Sequence, residues 1–385
     1  MDSRLPDFHR ATLDERLTRL QEAGWIANLE ERSILQNSLA GQSFLEGFVE
    51  NVTGAIALPV GLVTNLVLNG TDRLVPLATE EPSIVAACCK SALLVRDFGG
   101  VTAQAGERRI GGQVLLEKAA SLRTLRREVA GMEAEFLEAA NNRHMRIAAA
   151  GGGTLRIGYR ALGNLDGVGV VDITCHPGDA MGANFVDDVA QFFLETYAPR
   201  LSARAVTAIV TNHPLGKPAK ASVKIPTPAL AWEETEGREV ARRIALLSDW
   251  AMGDALRRAT HNKGILNGLL AFLQASAQDL RGAVVAMNSY LESTSHGLLA
   301  RWTVADDHLV GTFEAPIHAG TVGGTGPHLP TTALYYRWSG ISQATDLEEV
   351  AGAIGLLQSL GALRVLATSG IQAGHMKLHG RKNRG

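Results

Sequence analysis

Two charged residues have surroundings that differ from those of an ordinary surface side chain. Lys263 lies in the H-N-K-G run at 261–264, where amide, glycine and apolar neighbours favour partial burial with a carboxylate partner. Glu81 lies directly before a run of apolar residues that is typical of a helix. A carboxylate there can cap the helix, because negative charge is favoured at a helix N-terminus. A fixed cation and a carboxylate could also stabilise developing negative charge and exchange protons, and the residues alone leave both interpretations open.

Two glycine-containing segments suggest ligand contacts of another kind. The segment 179–184, with the pattern D-x-M-G-x-N, falls between a predicted strand and a predicted helix. A glycine there lets backbone N–H groups approach a ligand, and a helix N-terminus attracts phosphate; an ordinary strand-to-helix turn is the alternative. The glycine-rich run 370–374 leads to His375, and a lone histidine is more often structural than catalytic.

The elements that would hold these segments are clearest in the middle of the chain. Alternating or continuous apolar runs predict four strands, and helical periodicity predicts two helices. The strands are 109–115, 154–159, 168–174 and 205–211, and the helices are 117–148 and 182–197. The order β-α-β-β-α-β is that of the ferredoxin-like unit. The 179–184 segment then joins the third strand to the second helix.

The rest of the chain is predicted to be mainly helical. Pro82 suits the first turn of a helix, further helices are expected at 232–290, interrupted around 261–264, and at 347–360, and the passage 309–326 is predicted to be rich in β structure. The predicted fold class is α+β, a larger mainly helical domain with an inserted ferredoxin-like domain. The predicted boundaries are 1–106 and 214–369 for the larger domain, 107–213 for the inserted domain, and 370–385 for a C-terminal remnant.

Composition and missing motifs exclude several classes of protein. The 385 residues include 37 basic and 39 acidic ones, so the basic excess of a nucleic-acid-binding protein is absent. Three cysteines are too few for a disulfide framework, the N-terminus has no apolar signal region, and the apolar stretch 56–68 is too short to span a membrane. We therefore expect a cytoplasmic protein. The sequence has no P-loop, G-x-G-x-x-G, G-x-S-x-G or zinc-finger spacing, and no metal is expected.

In this order and at these separations, the segments resemble hydroxymethylglutaryl-CoA reductase, specifically its bacterial class. The resemblance runs from about Asp2 to His379 and includes E-N-V at 50–52, Glu81, D-x-M-G-x-N, H-N-K-G and G-T-V-G-G at 320–324. D-x-M-G-x-N and H-N-K-G are highly specific as a pair. The resemblance implies an NAD(P)-dependent oxidoreductase that interconverts hydroxymethylglutaryl-CoA with mevalonate and CoA by two hydride transfers. It leaves the physiological direction open.

The resemblance also implies roles for four residues. Lys263 matches the cation that stabilises the oxyanion of the thioester and of the aldehyde-level intermediates. Glu81 matches the acid that protonates the aldehyde oxygen, and Asp279 matches the carboxylate that couples the lysine to the glutamate. His375 matches the acid that protonates the departing CoA thiolate, which suits an imidazole pKa of about 6.5. Burial would raise the pKa of Glu81 and the nearby cation would lower it, so the net shift stays open.

Further positions match the family's binding residues. Ser83 and Arg257 match positions that hold the acyl portion of the substrate, and Asn267 lies beside the catalytic lysine. Four residues of D-x-M-G-x-N match the dinucleotide loop, with Asn212 nearby: Asp179, Met181, Gly182 and Asn184. Family members are dimers with active sites at the subunit interface, so a homodimer is implied.

Two departures from the family pattern bear on function. Relatives that prefer NADH carry an aspartate seven residues before the glycine triplet, where this chain has His144 beside Arg143. A basic site would accommodate a 2′-phosphate, which favours NADPH or dual use. The chain also ends ten residues after His375, whereas relatives continue into a mobile flap. A catalytically impaired homologue that still binds CoA or the dinucleotide is therefore the alternative.

Overall fold

The computed structural model describes residues 1–36, 56–119, 121–324 and 326–369. His375, the 50–52 motif and the 370–385 segment lie outside the described residues, so the predictions made for them stay predictions.

The N-terminal part begins with two helices, α1 (Leu13–Glu22) and α2 (Leu29–Gln36). A hairpin of β1 (Val60–Leu68) and β2 (Thr71–Ala78) follows, closed by an Asn-Gly turn whose two residues both have positive φ. Helix α3 (Ile84–Arg96) packs against β1, and the short strand β3 (Thr102–Gln104) leads into the middle of the chain. The hairpin therefore places the residues just before α3 at the end of β2.

The middle unit, residues 110–211, is a four-stranded antiparallel sheet with its own helices. Its elements are β4 (Ile110–Glu117), α4 (Leu122–Arg143), α5 (Met145–Ala149), β5 (Gly153–Ala161), β6 (Gly169–His176), α6 (Ala183–Phe192) and β7 (Arg204–Thr211). The strand order is β5-β6-β4-β7. Buried side chains such as Val114, Phe136 and Val186 form a hydrophobic core separate from that of the rest of the chain.

The C-terminal part completes the main body, by which we mean the described residues outside the middle unit. Its elements are β8 (Ala219–Pro226), α7 (Gly237–Gly253), α8 (Ala255–Ala275), α9 (Leu280–Ser293), β9 (Ala300–Ala305), β10 (His308–Ala315), α10 (Pro330–Ser339) and α11 (Ala344–Ala367). Strands β3, β8, β10 and β9 form a second four-stranded antiparallel sheet in that order. Helix α11 packs against α8, α3 and β8 and is the helix around which this core forms.

Helix α11 is long and apolar enough to cross a membrane by composition alone. However, 72% of its most apolar window is buried inside the protein. Burial to this extent is what the central helix of a folded core requires, so the packing of the main body accounts for its apolar character.

The α+β class is confirmed, and the β-α-β-β-α-β order predicted for the middle of the chain is the order observed. The predicted helix break at 261–264 is wrong, because α8 runs through it without interruption. The breaks lie instead at Asp254 and between Ser276 and Asp279. The predicted helix 117–148 is two helices that meet at His144, and strands β1, β3, β8 and β9 were not predicted.

Candidate active site

Lys263 and Glu81 form an ion pair between two distant parts of the chain. Lys263 Nζ, on α8, lies 3.3 Å from Glu81 Oε2, in the segment that joins β2 to α3. The side chains keep 62% and 39% of their exposure. A pair this exposed contributes at most about 1 kcal/mol to stability, so stability gives little reason for bringing the two charges together. Both charges remain accessible to a ligand.

In the H-N-K-G run, His261 and Asn262 bond to the rest of the protein, and Lys263 is exposed. His261 is buried, and its Nε2 lies 3.0 Å from the carbonyl oxygen of Ala300. The Asn262 side chain donates to the Gly297 carbonyl at 2.8 Å and accepts from the Leu299 N–H at 3.2 Å. These bonds fasten α8 to the segment before β9. Because the helix is held on that side, Lys263 projects from a fixed backbone.

Glu81 does not cap the helix that follows it. The N-cap of α3 is Ser83, which has φ 80° and makes no side-chain capping bond. The Glu81 backbone N–H donates to Thr79 Oγ1 at 3.1 Å, and its carboxylate contacts Lys263. The structure thus favours the chemical interpretation of this carboxylate over the structural one.

Asp279 is the N-cap of α9. Its Oδ1 accepts hydrogen bonds from the Arg281 and Gly282 N–H groups at 3.0 and 3.1 Å. Among the described residues, no ion pair joins Asp279 to Lys263. Asn212 lies beside it, because a Cβ added to Gly282 would stand 2.9 Å from Asp279 Oδ2 and 3.4 Å from Asn212 Oδ1. A predicted catalytic residue and a predicted cofactor residue are therefore neighbours.

The predicted acyl-binding residues lie on the same elements as the ion pair. Arg257 and Asn267 are on α8 on either side of Lys263, and Asn267 is one turn beyond it. The Arg257 guanidinium stands 5.6 Å from the centre of the Trp250 ring, and partial burial lowers its pKa. A cation that stacks on an aromatic face is held in place while it remains able to bind a carboxylate or carbonyl.

The D-x-M-G-x-N loop ends at the N-terminus of α6. Gly182 is the N-cap, with φ 105°, a conformation that favours glycine, and no side chain caps the helix. The backbone N–H groups of the first turn are thus left for an anion, and Asn184 is exposed beside them. This arrangement fits a phosphate group of a dinucleotide.

His144 and Arg143 share one carboxylate. His144 Nε2 lies 2.9 Å from Asp188 Oδ2, and Arg143 Nε donates to the same oxygen at 2.9 Å. The guanidinium lowers the pKa of Asp188, so this carboxylate stays ionised. The site is consequently less basic than the sequence suggested, because part of the positive charge is neutralised within the protein.

Three side chains near the dinucleotide loop were missed by the sequence analysis. Arg108 and Glu348 form a buried ion pair behind the loop, and the Gln278 side chain donates to the Gly320 carbonyl and accepts from its N–H. The paired charges are 240 residues apart, and no local pattern marks them. Gln278 immediately precedes Asp279, which is the signal that could have drawn attention to it.

No group of three or more histidine, cysteine or acidic side chains suited to a metal occurs in the ranges 1–36, 56–119, 121–324 and 326–369.

The chain is similar to one family over nearly its whole length. A family model described as hydroxymethylglutaryl-coenzyme A reductase matches residues 12–380. The 3-hydroxy-3-methylglutaryl-coenzyme A reductase of Archaeoglobus fulgidus is 32% identical over 383 residues, which cover 99% of this chain and 86% of that protein. The probable reductase of Borreliella burgdorferi is 27% identical over 96% of this chain and 84% of its own length. A class II reductase from Streptococcus pneumoniae, solved bound to NADPH in open conformations, has a TM-score of 0.89 at 30% identity, covering 94% of this chain and 99% of that one.

Proposed function

Since the chain belongs to the hydroxymethylglutaryl-coenzyme A reductase family, and to its bacterial class II, we propose that it interconverts hydroxymethylglutaryl-CoA with mevalonate and CoA. It is an oxidoreductase that uses a nicotinamide cofactor. The single observation that carries the proposal for the site is the Lys263–Glu81 ion pair, since it places a fixed cation beside a carboxyl group at an accessible position.

In the proposed mechanism, Lys263 stabilises negative charge on the substrate oxygen. The thioester carbonyl gains an oxyanion when it is reduced, and a fixed ammonium group at that position lowers the barrier. The cofactor supplies the hydride in each of the two reductions. Glu81 gives a proton to the aldehyde oxygen in the second reduction, and its 3.3 Å contact with Lys263 supports a role for both groups at one substrate oxygen. Asp279 is proposed to couple these two groups, and His375 to protonate the CoA thiolate.

The binding residues are proposed by position. Ser83, Arg257 and Asn267 would hold the acyl portion of the substrate near Lys263. Asp179, Met181, Gly182, Asn184 and Asn212 would hold the dinucleotide, with a phosphate at the uncapped N-terminus of α6. The NADPH-bound relative supports NADPH as a cofactor. His144 would contribute to that preference, although Asp188 already neutralises part of its neighbourhood.

The architecture suggests a division of labour. We propose that the middle unit is the cofactor domain, with boundaries 107–213, and that the main body binds the CoA substrate. A homodimer in the cytoplasm and a place in mevalonate metabolism are proposed from the family. The separate hydrophobic core of the middle unit supports its assignment as a distinct domain.

The test is cofactor oxidation that depends on hydroxymethylglutaryl-CoA, followed at 340 nm. Lys263→Ala is expected to lower kcat by roughly 10²–10³-fold, because it removes one stabiliser of the oxyanion. Lys220→Ala is the matched control: Lys220 pairs with Glu314 at 2.8 Å with side-chain exposures of 58% and 39%, close to those of the candidate pair. It should leave kcat unchanged.

Two results would overturn the proposal. One is full activity in Lys263→Ala. The other is NADPH binding without turnover in the unmodified protein, which would instead support the catalytically impaired homologue.

A further inference from the structure

A buried arginine lies directly behind the dinucleotide loop. Arg108 keeps 7% of its side-chain exposure and its partner Glu348 keeps 5%. The guanidinium donates to the carbonyl oxygens of Gly178 at 3.0 Å, Ala180 at 2.8 Å and Ala319 at 2.8 Å. Two of these carbonyls flank Asp179, so the loop curls around the charged group.

The loop is also held from its other side. Gly320 follows the third carbonyl acceptor, and a Cβ there would stand 2.3 Å from the backbone nitrogen of Met181. Only glycine permits this approach. The backbone N–H of Thr321 donates to the Asp179 carbonyl at 2.8 Å. Residues 178–181 are therefore held between Arg108 and the 320–322 segment.

Helix α11 holds both Arg108 and the dinucleotide loop through hydrogen bonds. Glu348 lies in its second turn and also accepts from the Gly106 N–H at 3.0 Å. The N–H of Ala344, its first residue, donates to Asp179 Oδ1 at 2.9 Å. The same helix packs against α8, which carries Lys263. One buried helix is thus in contact with both the dinucleotide loop and the helix of the catalytic lysine.

We propose that Arg108, paired with Glu348, is a positioning residue for the nicotinamide cofactor. Arg108 fixes the position of the loop relative to α11. The N–H groups at the start of α6 are thereby oriented toward the cofactor phosphate. The proposal rests on the function proposed above. Asp179 is proposed to have the same positioning role, because its carboxylate accepts a hydrogen bond from the N-terminus of α11.

Stability alone is a weak explanation of the pair. A buried ion pair loses hydration that its mutual attraction often fails to replace, and apolar residues commonly serve a core equally well. Arg108 also satisfies three carbonyl groups from two separate segments, which a planar guanidinium with five donors can do and a lysine ammonium cannot reproduce. An arginine is therefore suited to this position because it can bond all three carbonyl groups at once.

The test measures binding without turnover. Arg108→Lys keeps the charge but loses the fork geometry, and the Kd for NADPH, measured by fluorescence titration, is expected to rise by about tenfold or more. The Kd for hydroxymethylglutaryl-CoA, measured by calorimetry, should change by less than about threefold. Glu348→Gln, which retains one acceptor oxygen, should show the same split with a smaller rise. Circular dichroism checks that each variant is folded.

Arg160→Lys is the matched control. Arg160 is an exposed arginine of the middle unit that pairs with Asp172, and its replacement should leave both constants unchanged. An unchanged Kd for NADPH in a folded Arg108→Lys or Glu348→Gln variant would overturn the proposal. So would an equal rise for both ligands, or failure of both variants to fold, since either result would make the pair a requirement of the fold. Failure of the proposed function shows differently, as an unmodified protein without turnover.

Discussion

Lys263 and Glu81 are 182 residues apart in the sequence, yet their charged atoms lie 3.3 Å apart. The contact depends on side chains that do no chemistry: His261 and Asn262 fasten α8, while Thr79 and the left-handed Ser83 shape the segment that carries Glu81. A specific motif is therefore a mixture of anchors and reactive groups. Only the structure separates them.

His318 gives a prediction about pH at the scale of a single residue. Burial, and then the positive charges of Arg108 and His213, lower its pKa to about 4. An unfolded imidazole has a pKa of about 6.5, so below that pH the unfolded chain binds a proton that the folded protein does not. Titration of His318 should therefore leave the free energy of unfolding unaffected above pH 7 and lower it by about 2 kcal/mol at pH 5.

The measurement is urea unfolding of the unmodified protein and of His318→Gln at pH 7.5 and pH 5. The variant lacks the titrating group, so its free energy of unfolding should fall less between the two values. Equal falls in both proteins would contradict the lowered pKa.

At the scale of elements, α8 continues without a break through the glycine-containing motif H-N-K-G. Gly264 lies inside the helix, and a Cβ there would meet no atom of the described residues within 4 Å. Alanine at a helix interior is favoured over glycine by about 0.5–1 kcal/mol. The packing of the described residues therefore gives no reason for glycine at this position. We take the open space beside Lys263 to be the space that the acyl portion of the substrate occupies.

Gly264→Ala is accordingly expected to raise the Tm and also to raise the KM for hydroxymethylglutaryl-CoA about fivefold or more, since the added methyl group enters the substrate space. Gly131→Ala is the matched control, because Gly131 lies inside α4 and its Cβ would also meet nothing within 4 Å. It should raise the Tm with no change in KM. An unchanged KM in Gly264→Ala would contradict the assignment of the space.

The sequence predicts elements well where one pattern dominates. The four strands of the middle unit have regular apolar patterns, and their predicted positions agree with the structure within a few residues. The break predicted at 261–264 fails because the bonds of His261 and Asn262 to a distant segment outweigh the local helix-breaking tendency of asparagine and glycine. Nothing local announces the Arg108–Glu348 pair, whose burial depends on the packing of α11.

At the scale of the whole molecule, two hydrophobic cores are joined through a small set of polar contacts. The middle unit meets the main body where Arg108 donates to the Gly178 and Ala180 carbonyls and the Thr321 N–H donates to the Asp179 carbonyl. Polar contacts of this kind fix geometry more than they add stability, because each exchanges bonds with water. The relative position of the two proposed domains should therefore be sensitive to single polar substitutions at this junction.

Exposed apolar side chains on α7, α8 and α9 favour the proposed homodimer. Leu246 and Trp250 are one turn apart on α7, Leu256 begins α8, and Val285 is on α9; all four are exposed. Large apolar side chains exposed on consecutive helices, one of them adjacent in sequence to the predicted substrate-binding Arg257, favour an interface. We expect light scattering to give a mass of about 82 kDa, twice the 40.9 kDa of one chain.

Leu256→Asp should shift the protein toward the monomer and lower activity in proportion, because a charge would be buried at the contact. Leu165→Asp, at an exposed leucine between β5 and β6, should do neither. A Leu256→Asp variant that stays dimeric would place the interface elsewhere, and a fully active monomer would show that the Lys263–Glu81 site is complete within one chain.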